Sequence, residues 1–271
     1  MIIVRLTGRM GNQLFQYAFA LSEQRRLRTY AVIDDRYQRD IVSEYFSVPG
    51  IFRNKYIKKL VFKFHRFPQV YQEGGEEVTS FAGQQLHNFR YYYAYFQSEI
   101  YFKSIKDQVR RRFQIKKPFQ QAFEKKYGEM FRDNKVLAIH YRFGDYVEWG
   151  KDELGGTNLT LPENYYRNAL GLIPDLDKYL VVVVTDDIEI CNSRTEHIKN
   201  KLVISDSEIM DFQILLHADK LIIANSSFSW WAAYLNKKNA EVYAPEYWLG
   251  FKVGSEYPNG IIPPAYTKVK F

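Results

Sequence analysis

The chain has 271 residues, of which 46% are hydrophobic and 25% are charged, which is an ordinary globular composition. Its single cysteine, Cys191, excludes an intrachain disulfide and suits a reducing compartment. The net charge of +7 favours anionic partners, namely nucleic acid, nucleotide phosphates or anionic lipid.

The first residues, MIIVRLTG, lack the basic segment and long apolar run of a signal peptide. Apolar runs such as LIIA at residues 221–224 are far shorter than the ~20 residues that a membrane span needs. We therefore expect a cytoplasmic protein, with a peripheral contact at the inner membrane face as a further hypothesis.

The first half of the chain begins as a strand–helix–strand unit. Residues 1–6 predict a buried strand, residues 12–28 a helix and residues 30–33 a second strand, and this spacing favours a parallel βαβ unit. Residues 39–97 are rich in aromatic side chains and only weakly periodic. Further elements are expected as a strand at 90–96 and helices at 98–113 and 120–131.

Regular alternation of strands and helices resumes near residue 135. Strands are expected at residues 135–142, 179–185, 201–205, 220–224 and 240–245. Helices are expected at residues 162–173, 207–218 and 226–235, and a surface-packed tail at 255–271. The alternation predicts an α/β fold of two domains, residues 1–134 and 135–271, with ligands beyond the carboxyl ends of the strands.

The stretch GRMGNQLFQYA at residues 8–18 joins the first strand to the first helix. Backbone N–H groups at a helix start can meet a phosphate. The stretch lacks the glycine pattern of a dinucleotide fold and the Gly-Lys-Ser/Thr of a P-loop. Because it brings more polar groups than a turn requires, a ligand loop is favoured over a structural turn.

The stretch HYRFGDYVEWG at residues 140–150 follows the first strand of the second half. His140 and Arg142 alternate along the strand and point the same way, and the planar fork of Arg142 suits a diphosphate. Gly144 permits a tight turn before Asp145. A buried Arg–Asp pair that only holds the loop is the alternative, but the three polar types at one strand end favour a site.

Two further strand ends are polar. Asp186 and Asp187 end VVVVTDD, where acids bind ribose hydroxyls or a metal but also cap helices, and adjacent acids do not favour a metal. ANSSFSWW at residues 224–231 places an amide and three hydroxyls at a helix start. That arrangement suits an anion, and it equally suits a helix cap in front of buried tryptophans.

In this order, GRMGNQLFQYA, IHYRFGDYV and IIANSSFSWWAAYL together resemble glycosyltransferase family 11, the α-1,2-fucosyltransferases of bacterial glycan synthesis and animal blood-group chemistry. The resemblance covers nearly the whole chain and is weakest at residues 37–135. It implies a GT-B-like fold of two Rossmann-like halves facing across a cleft. It also implies an inverting transfer, without metal or cofactor, of L-fucose from GDP-β-L-fucose to the 2-hydroxyl of a terminal β-galactoside.

The resemblance also implies roles for residues. Arg142 would grip the β-phosphate and stabilise the departing GDP, with His140 beside it. Asp211 would accept N1–H and N2–H2 of guanine, and Asp186 and Asp187 would lie near ribose or base. The other predicted substrate-binding residues are Gly11, Asn12 and Gln13, closing the cleft from the first half, and Asn225, Ser226, Ser227, Phe228 and Ser229, holding phosphate.

Phe143 departs from the family pattern His-x-Arg-Arg-Gly-Asp, which has a second Arg at this position. One donor or one ion pair is therefore missing, which would weaken the site or mark a subgroup with a different acceptor. Asp145 is the motif-supported base for the galactose hydroxyl. The alternatives near it in sequence are Glu148, Asp152 and Glu153.

The acceptor is expected to be a lipid-linked oligosaccharide of surface polysaccharide or lipopolysaccharide. The basic and aromatic stretch at residues 52–67 then predicts contact with the inner membrane face, with a solvated basic surface as the alternative. Rival functions are transfer of another GDP-sugar, another fucose linkage, or an inactive relative. Nucleic-acid binding is the rival from another class, and we do not expect it because it leaves the polar motifs unexplained.

Overall fold

The computed structural model describes residues 1–52, 54–71 and 88–271, and its internal contacts divide the chain into two units. Unit 1 is Met1–Lys116 with Pro258–Ile261, and unit 2 is Lys117–Tyr257 with Ile262–Phe271. This division lies before the domain boundary expected at residue 134. The helix at Lys117–Asp133, which lies between the two boundaries, belongs to unit 2. Its Phe123 ring stacks on the His217 ring of unit 2, with centroids 4.8 Å apart.

Unit 1 contains, among the residues described, a parallel sheet with the strand order β2-β1-β5-β4. Its strands are β1 Ile2–Arg5, β2 Ala31–Asp34, β4 Gln69–Tyr71 and β5 Arg90–Tyr93, and β3 Phe46–Ser47 pairs separately with β6 Gln114–Ile115. Its helices are α1 Met10–Arg26, α2 Ile41–Tyr45, α3 Lys55–Phe64 and α4 Lys106–Arg112.

The predicted βαβ unit of this half is confirmed, since β1 and β2 pair in parallel on either side of α1 in the sequence. The helix expected at residues 98–113 is wrong over its first part, where two short 3₁₀ turns precede α4. Phe102 lies between those turns with a φ of −137° and is completely buried. Packing of its ring against Phe15, 6.3 Å away between centroids, outweighs the apolar periodicity.

Unit 2 contains a larger parallel sheet with the order β12-β11-β10-β7-β8-β9. Its strands are β7 Val136–His140, β8 Leu180–Val184, β9 Lys201–Ile204, β10 Lys220–Ile222, β11 Glu241–Pro245 and β12 Thr267–Val269. Its helices are α5 Lys117–Asp133, α6 Glu163–Gly171, α7 Ile188–Arg194, α8 Glu208–His217 and α9 Ser227–Leu235. The predicted doubly wound pattern is confirmed. The residues expected only as a surface tail add the edge strand β12, which buries Val269.

The strand order of unit 2 reverses between β7 and β10. After β7 the chain adds β8 and β9 on one side, and then β10, β11 and β12 on the other. In open parallel sheets, ligands bind beyond the carboxyl ends of the strands at such a reversal. The residues that follow β7 and β10 are therefore the first place to look for a site. Unit 1 has the same kind of reversal between β1 and β5.

Candidate active site

The loop after β7 continues the alternation of the strand. The residues on its core side belong to one hydrophobic cluster and are Leu137, Ile139, Tyr141 and Phe143. The rings of Tyr141 and Phe143 lie 5.9 Å apart, so the departure from the family motif fills the core and leaves Arg142 in place. The guanidinium carbon of Arg194 lies 5.0 Å from the Phe143 ring centroid. A cation therefore still lies beside position 143, contributed by α7.

Two carboxylates hold Arg142. Its Nη1 donates to Asp186 Oδ2 at 2.7 Å, and its Nη2 donates to Asp145 Oδ1. Asp186 Oδ1 also accepts the backbone N–H of Phe143 at 2.8 Å, so one carboxylate fixes both the side chain and the backbone of the loop. Gly144 follows with a φ of +32°, and a Cβ there would lie only 2.7 Å from Asp186 Oδ2. Glycine thus permits this arrangement.

Asp145, the predicted base, is half-exposed and paired with Arg142. It lies on a 3₁₀ turn, Gly144–Val147. A guanidinium has more N–H donors than these two bonds use, so Arg142 can hold an anion while it keeps the contact with Asp186. The alternative bases Glu148, Asp152 and Glu153 are exposed.

His140 is buried at the end of β7. Burial, followed by the nearby charge of Arg142, lowers the pKa of His140 to about 3, so the imidazole is neutral near pH 7. Its buried Nδ1 has no hydrogen-bond partner among the residues that the structure describes. A buried polar atom without a partner is unfavourable, so this nitrogen is a candidate ligand contact.

Asn225 follows β10 and is also buried. Its Nδ2 donates to the Leu159 carbonyl at 2.9 Å, and its own carbonyl accepts from the Tyr146 hydroxyl at 3.0 Å. Its buried Oδ1 lacks a partner within the described part of the chain. Tyr146 thereby joins the loops after β7 and β10. Tyr146 was not among the predicted site residues, although it lies within the motif HYRFGDY.

The start of α9 uses its hydroxyls in different ways. Ser226 caps the helix, since its Oγ accepts the Phe228 N–H at 3.4 Å. Ser229 is completely buried, and its single O–H lies within hydrogen-bond distance of two carbonyls of the same loop, at 3.3 and 3.2 Å. Ser229 is therefore engaged inside the loop, which differs from its predicted contact with phosphate. Ser227 and Phe228 are half-buried at the helix start.

Asp211 lies in the first turn of α8 and accepts the backbone N–H of Asp206 at 3.0 Å. Burial raises the pKa of Asp211 to about 7. A carboxyl in this condition is stabilised as a carboxylate by a ligand that donates hydrogen bonds. The Phe228 ring lies 5.5 Å from both the Phe212 ring and the His140 ring. This aromatic row connects the helix of Asp211 to the loops after β7 and β10.

Asp187 caps α7, since its Oδ1 accepts the N–H of Ile190 at 3.0 Å. The cap was the stated alternative for this acid, and the contacts with ribose or base expected of Asp186 and Asp187 stay predictions. Cys191 on the same helix is buried, and burial raises its pKa to about 12. Its thiol is therefore a packed group rather than a nucleophile.

The loop after β1 in unit 1 turns its amides inward. Gln13 is completely buried, and its Nε2 donates to the carbonyls of Gly8 and Arg39 at 3.2 and 2.8 Å. Its Oε1 accepts the N–H of Ile41 at 2.9 Å. Gly11 is buried in the first turn of α1. The structure thus gives Gln13 a structural part, which differs from the predicted direct contact with substrate.

Asn12 is half-buried, and its Oδ1 accepts from Gln97 Nε2 at 2.7 Å. Gly8 has a φ of +73°, and a Cβ on it would lie 2.3 Å from Asn12 Nδ2. Gln16, which was not among the predicted site residues, donates through Nε2 to the Ala94 carbonyl at 3.1 Å. These amides join the loops after β1 and β5.

Within residues 1–52, 54–71 and 88–271, no group of three or more His, Cys, Asp or Glu side chains is placed to hold a metal ion. The helices in these same ranges are all too short or too polar to cross a membrane.

Comparison with known proteins gives a family and a fold. The model of glycosyl transferase family 11 matches residues 1–250. An α-1,2-colitosyltransferase of Escherichia coli is 25% identical over 279 residues, which cover 92% of each chain. The O-antigen biosynthesis glycosyltransferase WbnK of Escherichia coli is 25% identical over 284 residues, covering 90% of this chain and 93% of WbnK.

Among solved structures, the fucosyltransferase NodZ from Bradyrhizobium has a TM-score of 0.58 at 15% identity, covering 86% of this chain and 91% of NodZ. NodZ α-1,6-fucosyltransferase soaked with GDP-fucose has a TM-score of 0.55 at 15% identity, covering 86% and 92%. These likenesses concern the fold, which is an α/β fold of the GT-B class with two Rossmann-like units. Because the family model spans nearly all of the chain, the resemblance seen in its motifs is confirmed, and the chain is a glycosyltransferase that belongs to family 11.

Proposed function

We propose that the enzyme transfers L-fucose from GDP-β-L-fucose to the 2-hydroxyl of a terminal β-galactoside, with inversion, in bacterial surface-glycan synthesis. The observation that carries the proposal is the pair of loops at the strand reversal of unit 2. Arg142 and Asn225, whose buried Oδ1 has no described partner, lie on these loops, and His140, whose buried Nδ1 also has none, ends β7. The NodZ structure soaked with GDP-fucose and the O-antigen relative WbnK support the donor and the pathway class.

Arg142 acts on the leaving group. As the bond from fucose C1 to the β-phosphate oxygen breaks, negative charge develops on the departing GDP, and the guanidinium stabilises it. The contact with Asp186 orients Arg142 before the substrate arrives, which lowers the cost of organising the transition state.

Asp145 changes partner in this proposal. The β-phosphate takes its place on Arg142 Nη2, and the freed carboxylate accepts the proton of the galactose 2-hydroxyl. The galactose oxygen forms the new bond to fucose C1 from the face opposite GDP, which inverts the anomeric centre. Half-exposure of Asp145 is compatible with this exchange.

The nucleotide is bound by unit 2 in this proposal. The first backbone N–H groups of α9 and the Ser226 and Ser227 hydroxyls receive phosphate, and Asp211 accepts from guanine. Adenine and uracil lack the paired N1–H and N2–H2 donors, so Asp211 selects GDP. Asp186 and Asp187 are proposed to lie near the ribose or the base.

The acceptor is proposed to bind through unit 1. Tyr37 follows β2 with 61% of its surface exposed, and the Arg5 guanidinium carbon lies 4.2 Å from its ring centroid. A ring fixed in this way offers a flat apolar face with a polar tip, which matches the mixed apolar and hydroxyl character of a sugar. The natural acceptor is proposed to be lipid-linked.

The direct experiment incubates the purified protein with GDP-fucose and lactose in EDTA, with detection of GDP and of a fucosylated trisaccharide. A trisaccharide with a new 1→2 linkage supports the donor, the acceptor class and the independence from metal. GDP release without trisaccharide supports GDP-fucose as the donor and excludes lactose as an acceptor. Failure to bind GDP contradicts the proposal.

A donor sugar other than fucose is the second candidate, because one relative is named an α-1,2-colitosyltransferase. The discriminating experiment compares kcat/KM for GDP-fucose, GDP-mannose and GDP-colitose with one acceptor. A kcat/KM at least about tenfold higher for GDP-colitose than for GDP-fucose would identify colitose as the transferred sugar. Pocket contacts that favour one sugar over a near-isostere give factors of this size.

A further inference from the structure

Helix α3 carries apolar side chains on two sides. Val61 and Phe62 pack against a core cluster formed by Ile3, Val32 and Tyr91 of the unit 1 sheet. This inner side anchors the helix to the fold. The remaining apolar residues of α3 are therefore not needed for its attachment.

The outer side of α3 is formed by Tyr56, Ile57, Leu60 and Phe64, which are 72%, 45%, 58% and 64% exposed. At 3.6 residues per turn these four side chains fall within an arc of about 100°. Single exposed apolar residues are common on protein surfaces, but a contiguous row marks a surface that binds something.

Lysines flank this row on one edge. Lys55, Lys59 and Lys63 are exposed and form no ion pair with any residue in the described part of the chain. Lys58 lies on the inner side and pairs with Asp35 at 2.7 Å. The helix sequence KYIKKLVFKF contains no acid. The surface is thus apolar along its centre and cationic along its edge.

We propose that this outer face of α3 inserts into the headgroup region of an anionic lipid bilayer. The apolar row enters the acyl boundary, and the three lysines lie at the headgroup phosphates, which is the arrangement of an interfacial amphipathic helix. Charge complementarity selects an anionic bilayer over a neutral one. Nucleic acid fits less well, because the aliphatic Leu60, which offers no stacking face, separates the rings of Tyr56 and Phe64 along the row.

The transfer reaction does not itself require the lipid bilayer proposed as the partner of this surface. A lipid-linked acceptor would share the membrane with the enzyme, and this consequence rests on the proposed function. The binding itself does not, because it can be measured without turnover. Lactose transfer in solution then distinguishes a failure of membrane binding from a failure of the proposed activity.

Vesicle sedimentation tests the proposal with the whole chain. Wild type is expected to sediment with vesicles containing about 30% phosphatidylglycerol in phosphatidylcholine and not with phosphatidylcholine alone. Changing Lys55, Lys59 and Lys63 to Gln together should weaken binding about 100-fold, near fivefold for each charge. Leu60→Glu should reduce binding at least about tenfold. Leu172→Glu, which alters an exposed leucine of unit 2, is the matched control and should bind as wild type.

A labelled variant gives a second readout that does not depend on lost binding. Cys191 is buried, so Leu60→Cys supplies the accessible thiol for an environment-sensitive fluorophore. A blue shift with anionic vesicles is expected. Wild type that stays in solution with anionic vesicles, Leu60→Glu that binds as wild type, or a blue shift with an oligonucleotide but not with vesicles would each overturn the proposal.

Discussion

The two parallel sheets reverse their strand order in the same way, yet the loops at the two reversals use their polar groups differently. In unit 1, the buried amides of Gln13 and Gln16 bond to the backbone of neighbouring loops. In unit 2, His140 Nδ1 and Asn225 Oδ1 are buried and have no partner among the described residues. Polar loops after strands therefore do not by themselves indicate a ligand site. Arg5 Nε at the end of β1 is also buried without a described partner, so the contrast is between the amide oxygens: those of Gln13 and Gln16 accept hydrogen bonds, and Asn225 Oδ1 does not.

The largest effect is expected from Arg142→Gln. Loss of the guanidinium removes charge stabilisation from the departing diphosphate, so kcat should fall about 10²–10³-fold. Steady-state kinetics with GDP-fucose measure this change. Arg132→Gln is the matched control, because Arg132 is an exposed arginine of α5 paired with Glu124, and its kcat should stay near wild type. A wild-type kcat for Arg142→Gln would show that this arginine does not stabilise the leaving group.

Gln13→Ala should act on stability rather than on binding. The substitution leaves the buried carbonyls of Gly8 and Arg39 and the N–H of Ile41 without the Gln13 amide. We expect a loss of about 3 kcal/mol in the free energy of unfolding. Denaturant unfolding measures this loss, and calorimetry measures the Kd for GDP. Wild-type stability with lost GDP binding would make the first loop a ligand loop after all.

Asp211→Asn should weaken the preference for GDP over ADP about tenfold or more, since an amide presents a donor as well as an acceptor to guanine. In the wild type, the pKa of Asp211 is about 7 in the folded chain against an ordinary 3.8. Guanine binds the carboxylate, so affinity for GDP should fall as pH drops below 7, by up to about tenfold per unit. Calorimetry at several pH values tests this, and a pH-independent wild type would contradict it.

The raised pKa of Asp211 affects stability in the opposite direction: stability falls, whereas affinity for GDP increases, as pH rises. Between the ordinary pKa and about 7, the folded chain holds a proton that the unfolded chain releases. This contribution to stability is present at low pH and is lost as pH rises through 7. The free energy of unfolding of Asp211→Asn should therefore not fall as pH rises from about 4 to 7. If the variant keeps the pH dependence of the wild type, other groups cause that dependence.

The smallest effect is expected from Ser226→Ala. Loss of the helix cap on α9 should cost about 1 kcal/mol of stability, and loss of one phosphate contact should raise the KM for GDP-fucose a few-fold. Ser229→Ala is the comparison, because its hydroxyl is buried inside the loop. It should leave KM unchanged, and a larger KM effect at Ser229 would reverse the assignment within this loop.

The sequence predicts unit 2 well because its strands are short, continuous apolar runs such as VVVV in β8, and because polar motifs directly follow them. Alternation also explains Phe143, which shares the core side with Ile139 and Tyr141. Strand β12 was missed because Val269 is buried by its position beside β11, which no local pattern shows.

The sequence also could not predict that the Gln13 side chain bonds to backbone groups of unit 1. Its partner Arg39 is distant in sequence, and only the path of the chain brings the Arg39 carbonyl to the amide. Helix α3 was not predicted, although Lys55, Lys59 and Lys63 recur at helical spacing beside an apolar row.

Hydrogen–deuterium exchange with and without saturating GDP shows whether the nucleotide binds at the strand reversal of unit 2. We predict that the strongest protection falls on residues 141–147 and 225–229, after β7 and β10. Unchanged exchange in both stretches, with GDP bound and protection confined to residues 8–16 of unit 1, would show that the nucleotide does not bind at this reversal.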